Sequence, residues 1–196
     1  TLFPYTTLFR STLDGSVGEV QSVERPDGTM ELFDYAEDSS GSTVTVSSGE
    51  PNQGKTAILN GTRTITSRNR SGGVTGVESR LLLGGQEGAT LSLETSLCDG
   101  LGRATNTTYL DGTTVSRVYD CCGVASETDR EGVTTNYEYD DLKRLLMTTR
   151  NGITVSNQLD AADNLLYSFR RGTNGSSITV LSATYDKARR RTFEAT

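Results

Sequence analysis

The stretch YDCCGVASETDREGVTTNYEYDDLKRLLMTT, Tyr119 to Thr149, decides the fold. It opens on Tyr-Asp, reaches a Gly-centred turn at Glu131-Gly132, and returns to Tyr-x-Tyr-Asp at Tyr137 to Asp140. Between the turns the residues alternate. Val133, Thr135, Tyr137 and Tyr139 fall on one face, and Thr134, Asn136 and Glu138 on the other. Period two over six or seven residues predicts half-buried strands, so each block reads as one β-hairpin.

Outward from this stretch the pattern recurs. Blocks open at CDGLGR (Cys98), YDCCGV (Tyr119), YDDLKR (Tyr139), LDAADN (Leu159) and YDKARR (Tyr185). Asp99, Asp120, Asp140, Asp160 and Asp186 lie 21, 20, 20 and 26 residues apart. A second turn signal falls mid-block at Asp111-Gly112, Glu131-Gly132, Asn151-Gly152 and Arg171-Gly172. Asn-Gly and Asp-Gly are strong hairpin signals because both central positions of a type I′ turn need positive φ. Ile153, Val155 and Leu159 share a face with Asn157, and Leu165, Tyr167 and Phe169 share another.

Each opening Asp has a local role. Its carboxylate can accept the backbone N–H two residues on, as in an Asx-turn. The residue three further on is Gly102 or Gly123, which tolerate positive φ, but Lys143, Asp163 or Arg189 in later blocks. Lys and Arg tolerate it poorly, so those turns are expected to differ in type.

Composition agrees with a thin architecture. The chain has 196 residues, 33% of them hydrophobic and 7% aromatic. Thr is the commonest residue, at 30, and Gly follows at 21. Thr favours strands and Gly marks turns. The scarcity of Ala, Lys and Met argues against helix. No apolar run approaches the roughly 20 residues of a membrane-spanning helix. The net charge of −6 and pI near 4.8 lend no support to nucleic-acid binding.

There is no His, which excludes Ser-His-Asp and Cys-His catalysis and His-ligated metals. Cys98, Cys121 and Cys122 form neither a disulfide framework nor a structural zinc set. Cys121 and Cys122 read as two small residues filling a turn. A redox role is the other reading, without a Cys-x-x-Cys spacing to support it. The acidic pairs Asp140-Asp141 and Asp129/Glu131 flank turns, where carboxylates are usually solvated rather than poised as acid and base. No catalytic, cofactor or metal residue is assigned.

The tandem pattern resembles the RHS or YD repeat of bacterial RHS proteins and animal teneurins. Asp99 to Arg103 (DGLGR) matches the family's opening, and the likeness is strong over residues 98–170 and weaker to 196. The matching turn positions are Asp99, Gly102, Arg103, Tyr119, Asp120, Gly123, Gly132, Tyr137, Tyr139, Asp140, Gly152, Asp160, Tyr185 and Asp186. The Arg after the Gly is Val124 in one block and Asn164 in another, which leaves a general role for that Arg in question. Residues 12–97 read as the same hairpins in degenerate form, with turns at Pro26 to Gly28, Asp38 to Gly41, Asn60-Gly61, Ser71 to Gly73 and Gly84 to Gly88, and a longer loop at Gly49 to Gly54. The opening TLFPYTTLFRS, residues 1–11, resembles a translated sequencing adapter of the kind found in metagenomic gene predictions. The end at residue 196 falls in mid-strand, so residues 98–196 are expected to be truncated.

The expected fold is an all-β antiparallel hairpin meander. Open sheets beyond about 10 strands curl or split, so a long curled strip is expected. The resemblance implies part of a YD-repeat β-shell. It also implies a secreted or cell-surface parent whose shell encloses a C-terminal, toxin-like passenger. The partners would then be the remaining repeats and that passenger. In that reading the wall itself performs no chemistry, and since nothing resembles the family's downstream core segment or self-cleavage motif, no catalytic residue is carried over. A second reading is an adhesin or carbohydrate-binding module, with Tyr109, Tyr119, Tyr137, Tyr139, Tyr167 and Tyr185 stacking on glycans. Packing of those rings in cross-strand pairs is the plainer assignment.

Overall fold

The computed structural model describes the backbone of residues 7–9 and all of residues 20–195. The chain divides into two compact units, Thr1–Thr113 and Thr114–Thr196. The first holds β1 (Thr7–Phe9), β2 (Val20–Glu24), β3 (Met30–Glu37), β4 (Gly41–Pro51), β5 (Ile58–Asn69), β6 (Val74–Leu83), β7 (Gln86–Cys98) and β8 (Ala104–Tyr109). The second holds β9 (Thr114–Tyr119), β10 (Val124–Thr128), β11 (Thr134–Tyr139), β12 (Leu145–Arg150), β13 (Ile153–Leu159), β14 (Leu165–Arg171), β15 (Ser177–Tyr185) and β16 (Arg191–Ala195). Within each unit the strands lie side by side in sequence order, and every neighbouring pair is antiparallel. Strand β1 lies within the adapter-like segment and pairs with β2; the rest of residues 1–11 lies outside the described residues.

A lean sequence gives a small core. In the first unit Met30, Ile58 and Leu82 are buried together, with Leu32 packed against them. In the second, the buried apolar side chains among the described residues are Val115 and Ala183. Hydroxyl pairs supplement the core and draw on the abundant Thr. Directly opposed residues join across strands at Thr64–Ser79 (2.8 Å), Ser96–Thr107 (2.9 Å), Thr128–Thr134 (2.8 Å) and Thr149–Thr154 (3.1 Å). Such cross-strand bonds each contribute roughly 0.2–1 kcal/mol. Ion pairs add to them, as at Arg117–Glu127 (2.6 Å) and Arg63–Glu87 (2.6 Å).

The alternation predicted for β11 is present. Val133, Thr135, Tyr137 and Tyr139 are buried or half-buried, and Thr134, Asn136 and Glu138 are exposed. The face of β14 that carries Tyr167 is the more open one. Ser168 is buried opposite Asn157, while Tyr167 and Phe169 stack on each other at 5.9 Å.

Most predicted reversals are present, and several differ in detail. Asn60-Gly61 is no turn: it lies inside β5, where Gly61 faces Gly49 of β4. A Cβ on Gly61 would stand 2.0 Å from the Ser48 carbonyl oxygen, so this glycine serves a close backbone approach. Strand β4 continues to Pro51, which moves the long loop to residues 52–57. Gly88 belongs to β7. The reversal expected at Arg171-Gly172 centres instead on Asn174-Gly175, with Gly172 N–H donating to Ser176 O and Gly175 N–H donating to Gly172 O. That displacement, the nine residues of β15 and a β14–β15 bulge at Ser168/Phe169 absorb the 26-residue spacing.

Candidate functional site

The repeated feature is the reversal. Those opening at Arg25, Asn69, Asp99, Tyr109, Asp129, Asp140, Asp160, Gly172 and Asp186 share one geometry. The first residue's N–H donates to the carbonyl of the fifth, and the fourth residue's N–H donates back to the carbonyl of the first. The fourth residue has positive φ throughout, at 78° in Gly102, 64° in Lys143, 69° in Asp163 and 62° in Arg189. This is a three-residue hairpin loop with a left-handed residue closing it. The turns at Lys143, Asp163 and Arg189 are therefore of the same type as that at Gly102, contrary to the expectation from side-chain tolerance. Only one of the mid-block signals forms the type I′ pair, with φ of 50° at Asn151 and 72° at Gly152.

An Asp clamp makes the left-handed Lys and Arg tolerable. Asp140 Oδ1 accepts N–H bonds from Leu142 (2.9 Å) and Arg144 (2.9 Å), and its Oδ2 accepts Arg144 Nε (2.7 Å). Asp99 does the same with Leu101, Arg103 and the Arg103 side chain. Asp186 does so with Ala188, Arg190 and the Arg190 side chain. At Asp160 the side chain of Asn164 substitutes, donating at 2.8 Å. The Asx bond was legible in the sequence. The second backbone bond and the return of the Arg or Asn side chain to the same carboxylate were not. The role of that Arg, in question on sequence grounds, is thus to close the clamp.

These bonds hold the carboxyls below the ordinary range. The first cause is the Arg103 side chain for Asp99, the Arg144 N–H for Asp140, the Asn164 side chain for Asp160 and the Arg190 N–H for Asp186. Asp129 is lowered first by the Val133 N–H, and its Oδ2 also takes Arg150. Each of these carboxylates is bonded within its own turn.

The block at Asp120 departs from the rest. Its reversal is one residue shorter, with Asp120 N–H donating to Gly123 O at 3.0 Å. Asp38 to Gly41 is built alike. Asp120 Oδ1 accepts the N–H groups of Cys122 (2.8 Å) and Gly123 (3.1 Å). Gly123, grouped with Gly102 from the sequence, has a nearly extended φ of 159°. Val124, in the place of the Arg, contributes its carbonyl, which accepts the Tyr139 hydroxyl at 3.0 Å.

That hydroxyl bond is itself a repeat feature. Tyr35 donates to Val20 O (3.1 Å) and Tyr185 to Leu165 O (3.2 Å). In each case the Tyr before an Asp, or the one directly after Phe33-Asp34 in the degenerate block, reaches the backbone of an earlier strand. Burial pushes the Tyr139 phenol upward. Tyr137 and Tyr119 are half-buried. Gly132 and Gly152 sit at exposed hairpin tips.

No protein-family model matches the chain, and no curated protein matches it. Solved structures do. The chain is similar over 89% of its length to TcdB2-TccC3-Cdc42, with a TM-score of 0.56 and 14% identity. It is similar over 89% to TcdB2-TccC3-TEV, with a TM-score of 0.55 and 15% identity. It is also similar over 89% to a mutant Photorhabdus luminescens Tc holotoxin pore, with a TM-score of 0.55 and 16% identity. It spans about a tenth of each of those chains, 11%, 11% and 10% respectively. The fold is therefore an all-β antiparallel meander matching part of these Tc toxin structures.

Proposed function

We propose that this chain is a non-catalytic wall segment of a larger bacterial RHS/YD-repeat protein, whose β-shell encloses a C-terminal, toxin-like passenger. The observation that carries this reading is the tandem Asp clamp. Reversals of one geometry recur along the chain, and their carboxylates are spent on closing the turns that join strand to strand. A wall needs that and no active site. The fold likeness to Tc toxin shells supports the same reading.

The parent's delivery to the cell exterior follows from this proposal, as do its partners, the flanking repeats and the passenger. The glycan reading draws less support, because two of its six tyrosines, Tyr139 and Tyr185, have their hydroxyls engaged with backbone carbonyls.

Sequencing the intact gene across both ends tests the proposal. Further Tyr-Asp repeats, followed downstream by an RHS core and an unrelated short domain, are expected. Repeats running instead into a membrane anchor or wall-attachment segment would overturn it in favour of an adhesin.

A further inference from the structure

The pair Cys121-Cys122 sits at the tip of the one described YD reversal without a left-handed fourth residue. The two Sγ atoms are 2.6 Å apart. That is about half an ångström longer than a disulfide bond of about 2.0 Å. Cys121 is exposed and Cys122 half-buried. The Asp120 carboxylate grips the N–H of Cys122 and of Gly123, so the dipeptide is held in place. A carboxylate oxygen of Asp120 and both sulfurs lie within 4.8 Å of one another. A tetrahedral thiophilic ion, with metal–sulfur bonds of about 2.3 Å, would need the sulfurs to stand much further apart than they do.

We propose that Cys121 and Cys122 form a reversible vicinal disulfide, a redox-sensitive modification site on this turn whose partner is a low-molecular-weight disulfide. The Cys121 thiolate attacks one sulfur of the small disulfide and displaces one small thiol, forming a mixed disulfide. Cys122 then loses its proton and attacks the Cys121 sulfur, expelling the second small thiol. Two protein thiols are oxidised, one small disulfide is reduced to two thiols, and the protons and electrons balance.

The order follows from access and from the state of Cys122. Its hydrogen bond with Cys121 pushes the Cys122 thiol up to about 11. Once Cys121 is capped by the small thiol that bond is lost, which releases Cys122 to resolve the adduct. Successive Cα atoms are about 3.8 Å apart, shorter than the usual disulfide span of about 4.4–6.8 Å. The bond formed is therefore strained and readily reduced, the labile class of disulfide. Cys98 takes no part, since its Sγ contacts the Val74 carbonyl oxygen at 3.4 Å.

The test equilibrates the full chain with glutathione buffers of rising oxidised fraction, traps free thiols with N-ethylmaleimide, and reads the digested peptides by mass spectrometry. The peptide holding both cysteines is expected to lose the mass of two hydrogens, to escape alkylation, and to recover two labels after dithiothreitol, while Cys98 stays labelled. The Cys122→Ser variant is expected to stop at a stable glutathione adduct on Cys121. Alkylation of both Cys121 and Cys122 in every buffer would overturn the proposal. So would a persistent glutathione adduct on the wild-type chain, or the same two-hydrogen loss in Cys122→Ser.

Discussion

At the scale of the residue, one carboxylate per block does more than its sequence signature announces. Asp140 fixes two backbone N–H groups and one guanidinium, and in doing so it holds Lys143 at a φ of 64°. Left-handed backbone costs an L-residue roughly 1–2 kcal/mol. Lys143→Gly removes that strain but loosens the unfolded chain, so a net gain of about 0.5–1 kcal/mol is expected, read as a higher denaturant midpoint. An unchanged or lower midpoint would contradict a strained backbone at Lys143. The same carboxylates set a pH dependence. Asp99, Asp129, Asp140, Asp160 and Asp186 all have folded-state values below normal. Their contribution is present above the unfolded value of about 3.9 and is lost as pH falls through the lowered folded values. Denaturant midpoints should be level from neutral pH down to about 5 and fall below about 4. A level profile throughout the acid range would contradict the clamp.

At the scale of the element, the hairpin is tied to an earlier strand through tyrosine. Tyr139→Phe leaves the ring and removes the bond to Val124 O. A loss of about 1 kcal/mol is expected, measured by equilibrium unfolding, with far-UV circular dichroism unchanged. Strand positions and the Asx bond were legible because alternation and Asp placement are local signals. Turn type was not. Lys143, Asp163 and Arg189 look unfit for positive φ until the clamp around them is seen, whereas Gly123 looks fit and stays nearly extended. Asn60-Gly61 carries a turn signature, yet Gly61 is spent on the approach to β4, a contact between distant residues that no local pattern encodes.

At the scale of the molecule, a chain with few apolar side chains concentrates its core. Leu82 is 1% exposed and packs with Met30 and Ile58. Leu82→Ala is expected to cost about 2–5 kcal/mol, checked by the same unfolding measurement. Beyond that core, hydroxyl pairs and clamps take over, which explains how 33% hydrophobic content suffices for so many strands. Among the apolar residues left outward are Leu101 and Leu142, 74% and 68% exposed at equivalent turn positions.

In the proposed function these hairpins are wall, and the passenger lies inside it. Cryo-electron microscopy of the intact parent protein tests it most directly. The account predicts a hollow β-shell with the strands of residues 98–196 as consecutive staves and density for a C-terminal domain within. A solid or open sheet with the C-terminal domain outside would contradict it.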